Sequence, residues 1–179
     1  ESIDLIYIDP PFFSGRQYNV IFGDKNEQRS FSDIWEGGMP GYLIWLNARL
    51  YEMKRLLKKT GSIVVHLDEH AVHYTKIEMD KVFGHTAYVN EIIWHYTGGG
   101  RSKRYFSNKH DSLLWYSRAG KDGNFYFDVD AIRVPYKETS GYAKGGIVSA
   151  TGKKYMPNPK GTPVDDAVSY THLTLPTKR

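Results

Sequence analysis

The apolar run Ile3-Asp4-Leu5-Ile6-Tyr7-Ile8 leads directly into Asp9-Pro10-Pro11-Phe12, and no other junction constrains this chain as strongly. A run of that length and character reads as a buried strand. Two consecutive prolines remove two backbone donors and fix φ, so pairing stops there and the chain leaves the sheet stiffly. An acid and an aromatic are thereby carried on a rigid, projecting loop. In open α/β sheets, ligands bind outside the carboxyl ends of strands, where this loop would sit.

The following residues supply the rest of an α/β pattern. Leu43, Leu46, Leu50, Met53 and Leu57 recur at steps of three and four and predict a helix over 41–58. Lys54, Arg55, Lys58 and Lys59 fill its last turns, where cations suit the helix dipole, and Gly61 reads as its stop. Ser62 to Leu67 predicts a second buried strand, completing a strand–helix–strand crossover of a parallel sheet. A second helix is expected over 69–82, ending at Phe83-Gly84. Further strands are expected over 89–96 and 111–117, with a short one over 124–127. Residues 13–40 read as a long loop with a helical turn near Phe31-Ser32-Asp33-Ile34-Trp35. A loop of that length beside a candidate site is more often functional than idle.

Several candidate sites compete with the tetrapeptide. His66, Asp68, Glu69, His70 and His73 have the residue types of a metal centre, and His70 and His73 could share a helix face. Nothing in their spacing makes them converge, and a strand end followed by a capped helix accounts for them; no metal is expected. Gly98-Gly99-Gly100 lacks the Lys-Ser/Thr ending of a phosphate loop and reads as a hinge or turn. Beyond it, Arg101, Lys103, Arg104 and Lys109 interleave with Tyr105 and Phe106, and no acid occurs from Ile92 to His110. Basic charge mixed with aromatics suits phosphate contact and a splayed single strand; a solvated loop would look the same in sequence.

After residue 130 the periodicity fades. Arg133, Lys137, Lys144, Lys153, Lys154 and Lys160 face the lone acid Glu138 over 131–164. Val168-Ser169-Tyr170-Thr171-His172-Leu173-Thr174-Leu175-Pro176-Thr177 matches the translation of a transposase adaptor used in sequencing libraries. The expected organisation is therefore an α/β part over 1–130, an irregular insert or the start of a smaller domain over 131–167, and an adaptor-derived tail over 168–179. Glu1 enters a strand almost at once and reads as an internal position of a longer protein.

Asp9-Pro10-Pro11-Phe12 reads as an ordinary strand-to-loop turn or as a site for methyl transfer to an exocyclic amino group. The amino nitrogen of a nucleobase is a poor nucleophile, because its lone pair is delocalised into the ring. A carboxylate at Asp9 and a carbonyl at Pro10 that accept its two N–H bonds would localise that pair, pre-aimed by Pro10 and Pro11. Phe12 would stack on a base flipped out of the duplex. The chain resembles the amino-methyltransferases of DNA, in the subclass whose tetrapeptide precedes the cofactor loop. Gly61-Ser62-Ile63-Val64-Val65-His66-Leu67-Asp68, Val82-Phe83-Gly84, Glu91-Ile92-Ile93-Trp94 and Asn108 to Tyr116 fit the same series over roughly residues 1–165.

The resemblance implies an α/β fold: an incomplete Rossmann-like methyltransferase domain with a mainly parallel sheet flanked by helices, its catalytic part over 1–130, plus an irregular C-terminal insert over 131–167 that starts a target-recognition region. It implies S-adenosylmethionine as cofactor, with Asp9 bordering it as well as the target amine. It implies double-stranded DNA as substrate, a restriction subunit as partner, and a cytoplasmic location. An aspartate at the first position points toward adenine N6, with cytosine N4 the other target. The family's Phe-x-Gly-x-Gly cofactor loop does not occur in this sequence, and the resemblance places it beyond the target-recognition region; the fragment alone is expected to be inactive. RNA or protein-amide N-methylation is an alternative, as is a nucleic-acid-binding module without catalysis.

Composition agrees without deciding. The 179 residues are 40% hydrophobic, with a net charge of +4 and a pI of about 9.1, which suits a polyanionic partner. Mean hydropathy is −0.53, no apolar run approaches a membrane span, and no secretory signal opens the chain. The absence of cysteine excludes disulfides within this segment and argues against C5-cytosine methylation, which needs a thiolate nucleophile.

Overall fold

The computed structural model describes residues 1–21, 28–97 and 100–169. Gly98 and Gly99 of the glycine run, and residues 170–179 of the tail read as adaptor-derived over 168–179, lie outside them; Val168 and Ser169 of that tail are described, and they pair with Trp94 and His95 in the main sheet. Strand β1 (Ile3–Ile8) is followed by β2 (Gln17–Ile21) and β3 (Gln28–Ser32), helix α1 (Gly38–Leu56), β4 (Leu57–Leu67), α2 (Val72–Phe83), β5 (Tyr88–His95) and β6 (His110–Ser117). Then come the short elements β7 (Arg133–Val134), α3 (Gly141–Gly145), β8 (Ile147–Val148), β9 (Lys154–Tyr155), β10 (Thr162–Pro163) and β11 (Ala167–Ser169).

The main sheet has the order β1-β4-β6-β5-β11. β1 is parallel to β4 and β5 to β11, while β6 is antiparallel to both of its neighbours, so only β6 runs against the common direction. This is the mainly parallel sheet that the sequence predicts. The two strands expected to be parallel neighbours are so, with Leu5 opposite Ser62 and Ile8 opposite Val65. Tyr42, Leu46 and Leu50 of α1 and Val72, Met79 and Val82 of α2 form one buried cluster with Ile63, Val65 and Leu67 of β4 and Leu114 and Tyr116 of β6. The alternate positions of β1 point the other way, and Leu5 and Tyr7 are more than half exposed. The two helices are tied by Asn47 Nδ2 donating to Glu78 Oε2 (2.7 Å) and Lys54 Nζ to the Val82 carbonyl (2.6 Å).

Five expectations need correction. The first strand, read as buried, is an edge of the main sheet with none of its residues buried; only Ile6 and Ile8 pack against the core. The first helix runs from Gly38 to Leu56 and passes without a loop into β4, so Lys58 and Lys59 are strand residues, and Lys58 pairs with Asp4 at 2.8 Å. The leucine stripe misleads here because Leu57 is fully buried as the first residue of a strand. Gly61 is therefore not a helix stop. A Cβ there would lie 3.0 Å from the Ile3 carbonyl, and the β1–β4 register shifts between Ile3 and Leu5, so the glycine permits close backbone approach. The second helix begins at Val72, because Asp68 caps a preceding turn by accepting the His70 N–H (3.0 Å). Its end at Phe83 is as read, with Gly84 at φ 94 closing it. Residues 17–32 contain the antiparallel β2–β3 pair, Gln17 opposite Ser32, and the Asp33-Ile34-Trp35 stretch is not helical. Residues 124–127 form no strand; Phe125 packs edge-on against Trp115 at 5.5 Å.

Residues Tyr126–Asp166 make a second compact unit. Within it β7 pairs with β10 and β8 with β9, both antiparallel. Arg133 holds the first pair by binding Asp130 (2.7 Å) and the Gly161 carbonyl (2.7 Å). Among the described residues, no helix is long and apolar enough to cross a membrane.

Candidate active site

The tetrapeptide follows the last residue of β1, at the carboxyl edge of the sheet. Because β5 is aligned with β1 and β6 is reversed, that edge also carries the end of β4, the end of β5 and the start of β6. Asp9 faces solvent, with its side chain 60% exposed. Pro10, Pro11 and Phe12 are half-buried, and Phe12 presents itself edge-on to His66 at 5.4 Å. A cavity of about 340 Å³ opens beside Phe12, lined also by Arg16, Asp68, Glu69, Tyr96 and Asp111. The structure thus brings Phe12 together with the acids ending β4 and beginning β6.

His66 joins the two sides of this site. Its Nε2 lies 3.1 Å from Asp111 Oδ2, and its Nδ1 lies 3.2 Å from the Tyr7 hydroxyl and 3.6 Å from Asp9 Oδ1. The ring is hydrogen-bonded to Asp111 on one side and Tyr7 on the other, and it lies near Asp9 without bonding it. The acids also mark the neighbouring phenols. Burial, then Asp9 and Asp111, raises the pKa of Tyr7; burial, then Asp111 and Glu69, raises that of Tyr96. Glu69 is shifted the other way. Burial pushes its carboxyl up, but its own backbone N–H, the Asn108 amide, His70 and His110 outweigh burial and hold it below the ordinary range.

The loop after the tetrapeptide is held from an unexpected place. Asp33 is 1% exposed, yet its carboxylate accepts the N–H groups of Phe13 (3.0 Å) and Ser14 (2.6 Å), the Ser14 hydroxyl (2.8 Å) and the Trp35 indole N–H (3.0 Å). Burial alone would raise its pKa. The donors from Ser14, Trp35 and Phe13 together overcome that and lower it. Sequence reasoning missed the roles of both Asp33 and His66. The available signals were an acid between Phe31 and Trp35 and a histidine within the apolar run Ile63 to Leu67.

Of the metal-like set, only Asp68, Glu69 and His70 converge, with one ligand atom from each within 4.8 Å of the others. Asp68 and His70 already bond each other at 2.9 Å as part of the turn before α2. His66 is engaged elsewhere, with Asp111 and Tyr7. The basic residues Arg101, Lys103 and Arg104 are exposed, Lys109 is half-buried, and Phe106 is 98% exposed. They lie on the segment joining β5 to β6. Its base is closed by the Tyr96 N–H on the Lys109 carbonyl (2.9 Å), and Asn108 donates to Glu69 (2.6 Å).

Comparison with known proteins agrees with this architecture. A family model described as DNA methylase, of the N6/N4 methyltransferase type, matches residues 3–173. The chain is 33% identical over 120 residues to the type II methyltransferase M.KpnI of Klebsiella pneumoniae, covering 66% of this chain and 28% of that protein. It is 32% identical over 137 residues to the type II methyltransferase M.HpaI of Haemophilus parainfluenzae, covering 76% and 38%. Among solved structures, the cytosine-N4-specific PvuII DNA methyltransferase shares the fold, with a TM-score of 0.51 at 15% identity, covering 80% of this chain and 55% of that one. The chain thus spans less than half the length of these curated relatives. A mainly parallel sheet that delivers Asp-Pro-Pro-Phe to its carboxyl edge, and a family match over nearly all of the described chain, make this protein a member of the N6/N4 DNA methylase family.

Proposed function

We propose that the whole protein transfers a methyl group from S-adenosylmethionine to an exocyclic amino group of double-stranded DNA, adenine N6 in particular. The observation that carries this reading is the solvent-facing Asp9 carboxylate on a proline-stiffened loop, with half-buried Phe12 and the acid-lined cavity next to it. The cavity edge suits a cationic donor: Asp68, Glu69 and Asp111 line it, against Arg16. Asp9 borders that donor, and its main contact is with the target amine. When bound, S-adenosylmethionine supplies an electrophilic methyl group on a sulfonium.

The protein's own contribution is to make the amine reactive. Asp9 and the Pro10 carbonyl accept the two N–H bonds of the flipped base, which returns lone-pair density to the nitrogen. With the donor bound, its methyl group would pass to the nitrogen lone pair and its sulfur would keep the S–C electron pair, while Asp9 would take the surplus amine proton and release it to solvent. Phe12 stacks on the base and offsets part of the cost of unstacking it. Arg101, Lys103, Arg104 and Lys109 contact backbone phosphates. A restriction nuclease of the same site specificity is the partner this activity implies.

The test is methylation of duplex DNA by the whole protein with tritiated S-adenosylmethionine, followed by digestion to nucleosides. Label in N6-methyladenine is the expected result. Label in N4-methylcytosine would redirect the target assignment, and no incorporation with any duplex pool would overturn the reading.

A further inference from the structure

Between Ile8, whose position is set by pairing with Val65, and Phe13, the chain has few means of fixing itself. Pro10 and Pro11 have no N–H to donate. The downstream end must therefore be held by something else, and the group at that position is Asp33. Its carboxylate collects the consecutive N–H groups of Phe13 and Ser14, and its own N–H donates to the Arg16 carbonyl (2.8 Å).

Phe13 itself records the constraint. At φ 64 it is the sole non-glycine residue at positive φ among the described residues. A bulky L-residue there is strained. A left-handed residue turns successive N–H groups toward one point, which makes a concave anion site, and the Asp33 carboxylate fills it. The clamp is fixed in turn to the scaffold. Trp35, which also donates to Asp33, packs on Tyr42 (5.0 Å) and Trp45 (4.9 Å) of α1, and Phe13 packs on Tyr42 (5.8 Å).

We infer that Asp33 is a positioning residue that locks the Asp9–Phe12 loop in its reactive geometry, acting through the Phe13 and Ser14 amides rather than by touching substrate. This inference rests on the methyl-transfer reading for its consequence, but not for its structural content. The carboxylate is needed as an acceptor of four donors. An amide of the same size would turn an NH₂ toward N–H groups and break part of the clamp.

The experiment uses the whole protein and the variants Asp33→Asn and Ser14→Ala. Single-turnover methylation should slow by about tenfold or more in Asp33→Asn, because small misplacements of reacting groups cost that much and more. Equilibrium affinity for S-adenosylmethionine should stay at the wild-type value, while capture of the flipped base, which uses Phe12, should weaken along with the rate. Ser14→Ala removes one hydroxyl bond and leaves the core intact, so it should give a smaller loss of the same kind, and it decides the matter if Asp33→Asn does not fold. Phe13→Gly in the Asp33→Asn background relieves the backbone strain and should restore part of the rate. Hydrogen exchange at the Phe13 and Ser14 amides should quicken in Asp33→Asn, whatever reaction the protein catalyses. Wild-type rates in Asp33→Asn and Ser14→Ala, in a protein that methylates DNA, would overturn the inference. So would unchanged exchange at both amides. Failure of the wild type to methylate strikes the functional reading alone, and amide exchange then decides the clamp.

Discussion

At the scale of single residues, the site separates groups that do chemistry from groups that hold them. Asp9→Ala in the whole protein should lower turnover by on the order of a hundredfold or more, because a missing amine acceptor removes stabilisation felt mainly in the transition state. Binding of S-adenosylmethionine, followed by calorimetry, should change little; near-normal turnover would remove the central role given to Asp9. Phe12→Ala should behave differently and weaken capture of the flipped base by about 1–3 kcal/mol, the usual worth of one stacking interaction. Far from the site, Tyr116 shows the same logic in the core. It is fully buried, and its hydroxyl donates to Asp80 at 2.7 Å. Burial pushes the Asp80 carboxyl up, but bonds from Lys76 and Tyr116 and the Lys76 charge bring it below its ordinary value. A folded-state pKa lowered in this way stabilises the protein above the unfolded value of about 4, and that contribution disappears as pH falls through the folded value. Tyr116→Phe should therefore cost about 1.5–3 kcal/mol at neutral pH, as for a hydrogen bond to a charged group. The cost should shrink in acid, as measured by urea unfolding across a pH series.

At the scale of elements, the sequence exposed what is periodic and hid what is paired. The β1 and β4 strands, their parallel pairing and the end of α2 at Gly84 were legible, because apolar runs, a leucine stripe and a C-terminal glycine are local signals. The abrupt passage from α1 into β4 was not, since Leu57 continues the helical spacing while its burial comes from a strand. The β2–β3 pair was equally hidden, because its ladder joins segments that carry no clean alternation. Gly61 is where this matters most. A methyl group there would meet the Ile3 carbonyl, the Lys58 carbonyl and a Leu57 methyl, all near 3 Å. Gly61→Ala should cost roughly 1–3 kcal/mol, as for overpacking at a tight site. It should also disturb the register that aims Asp9, so methyl transfer should fall more than stability alone explains. Denaturant titration alongside turnover checks both, and a neutral outcome in stability would show that the β1–β4 approach has slack.

At the scale of the whole molecule, the sheet edge gathers the tetrapeptide, the acids closing β4 and the segment between β5 and β6. The residue types of this assembly were readable from the sequence. Its convergence was not, because His66 and Asp111 meet only through the β4–β6 pairing and Asp33 reaches the loop across a separate hairpin. The basic segment gives this arrangement a testable consequence. Arg101, Lys103 and Arg104 are exposed, while the base of their segment is held by backbone pairing and by Asn108 on Glu69. Neutralising the three together should therefore leave the fold intact and act on the field presented to DNA. For every phosphate that the variant no longer neutralises, one counterion fewer leaves the duplex on binding. The slope of log affinity against log salt should then flatten by about 0.9 per phosphate. In the whole protein, DNA affinity should fall most at low salt and converge with the wild type as salt rises. The rate of the chemical step at saturating DNA should hold, since none of the three is assigned to the amine. Affinities that coincide with the wild type across the salt series would show that these charges are merely solvated, and the DNA track would have to be sought elsewhere on the molecule.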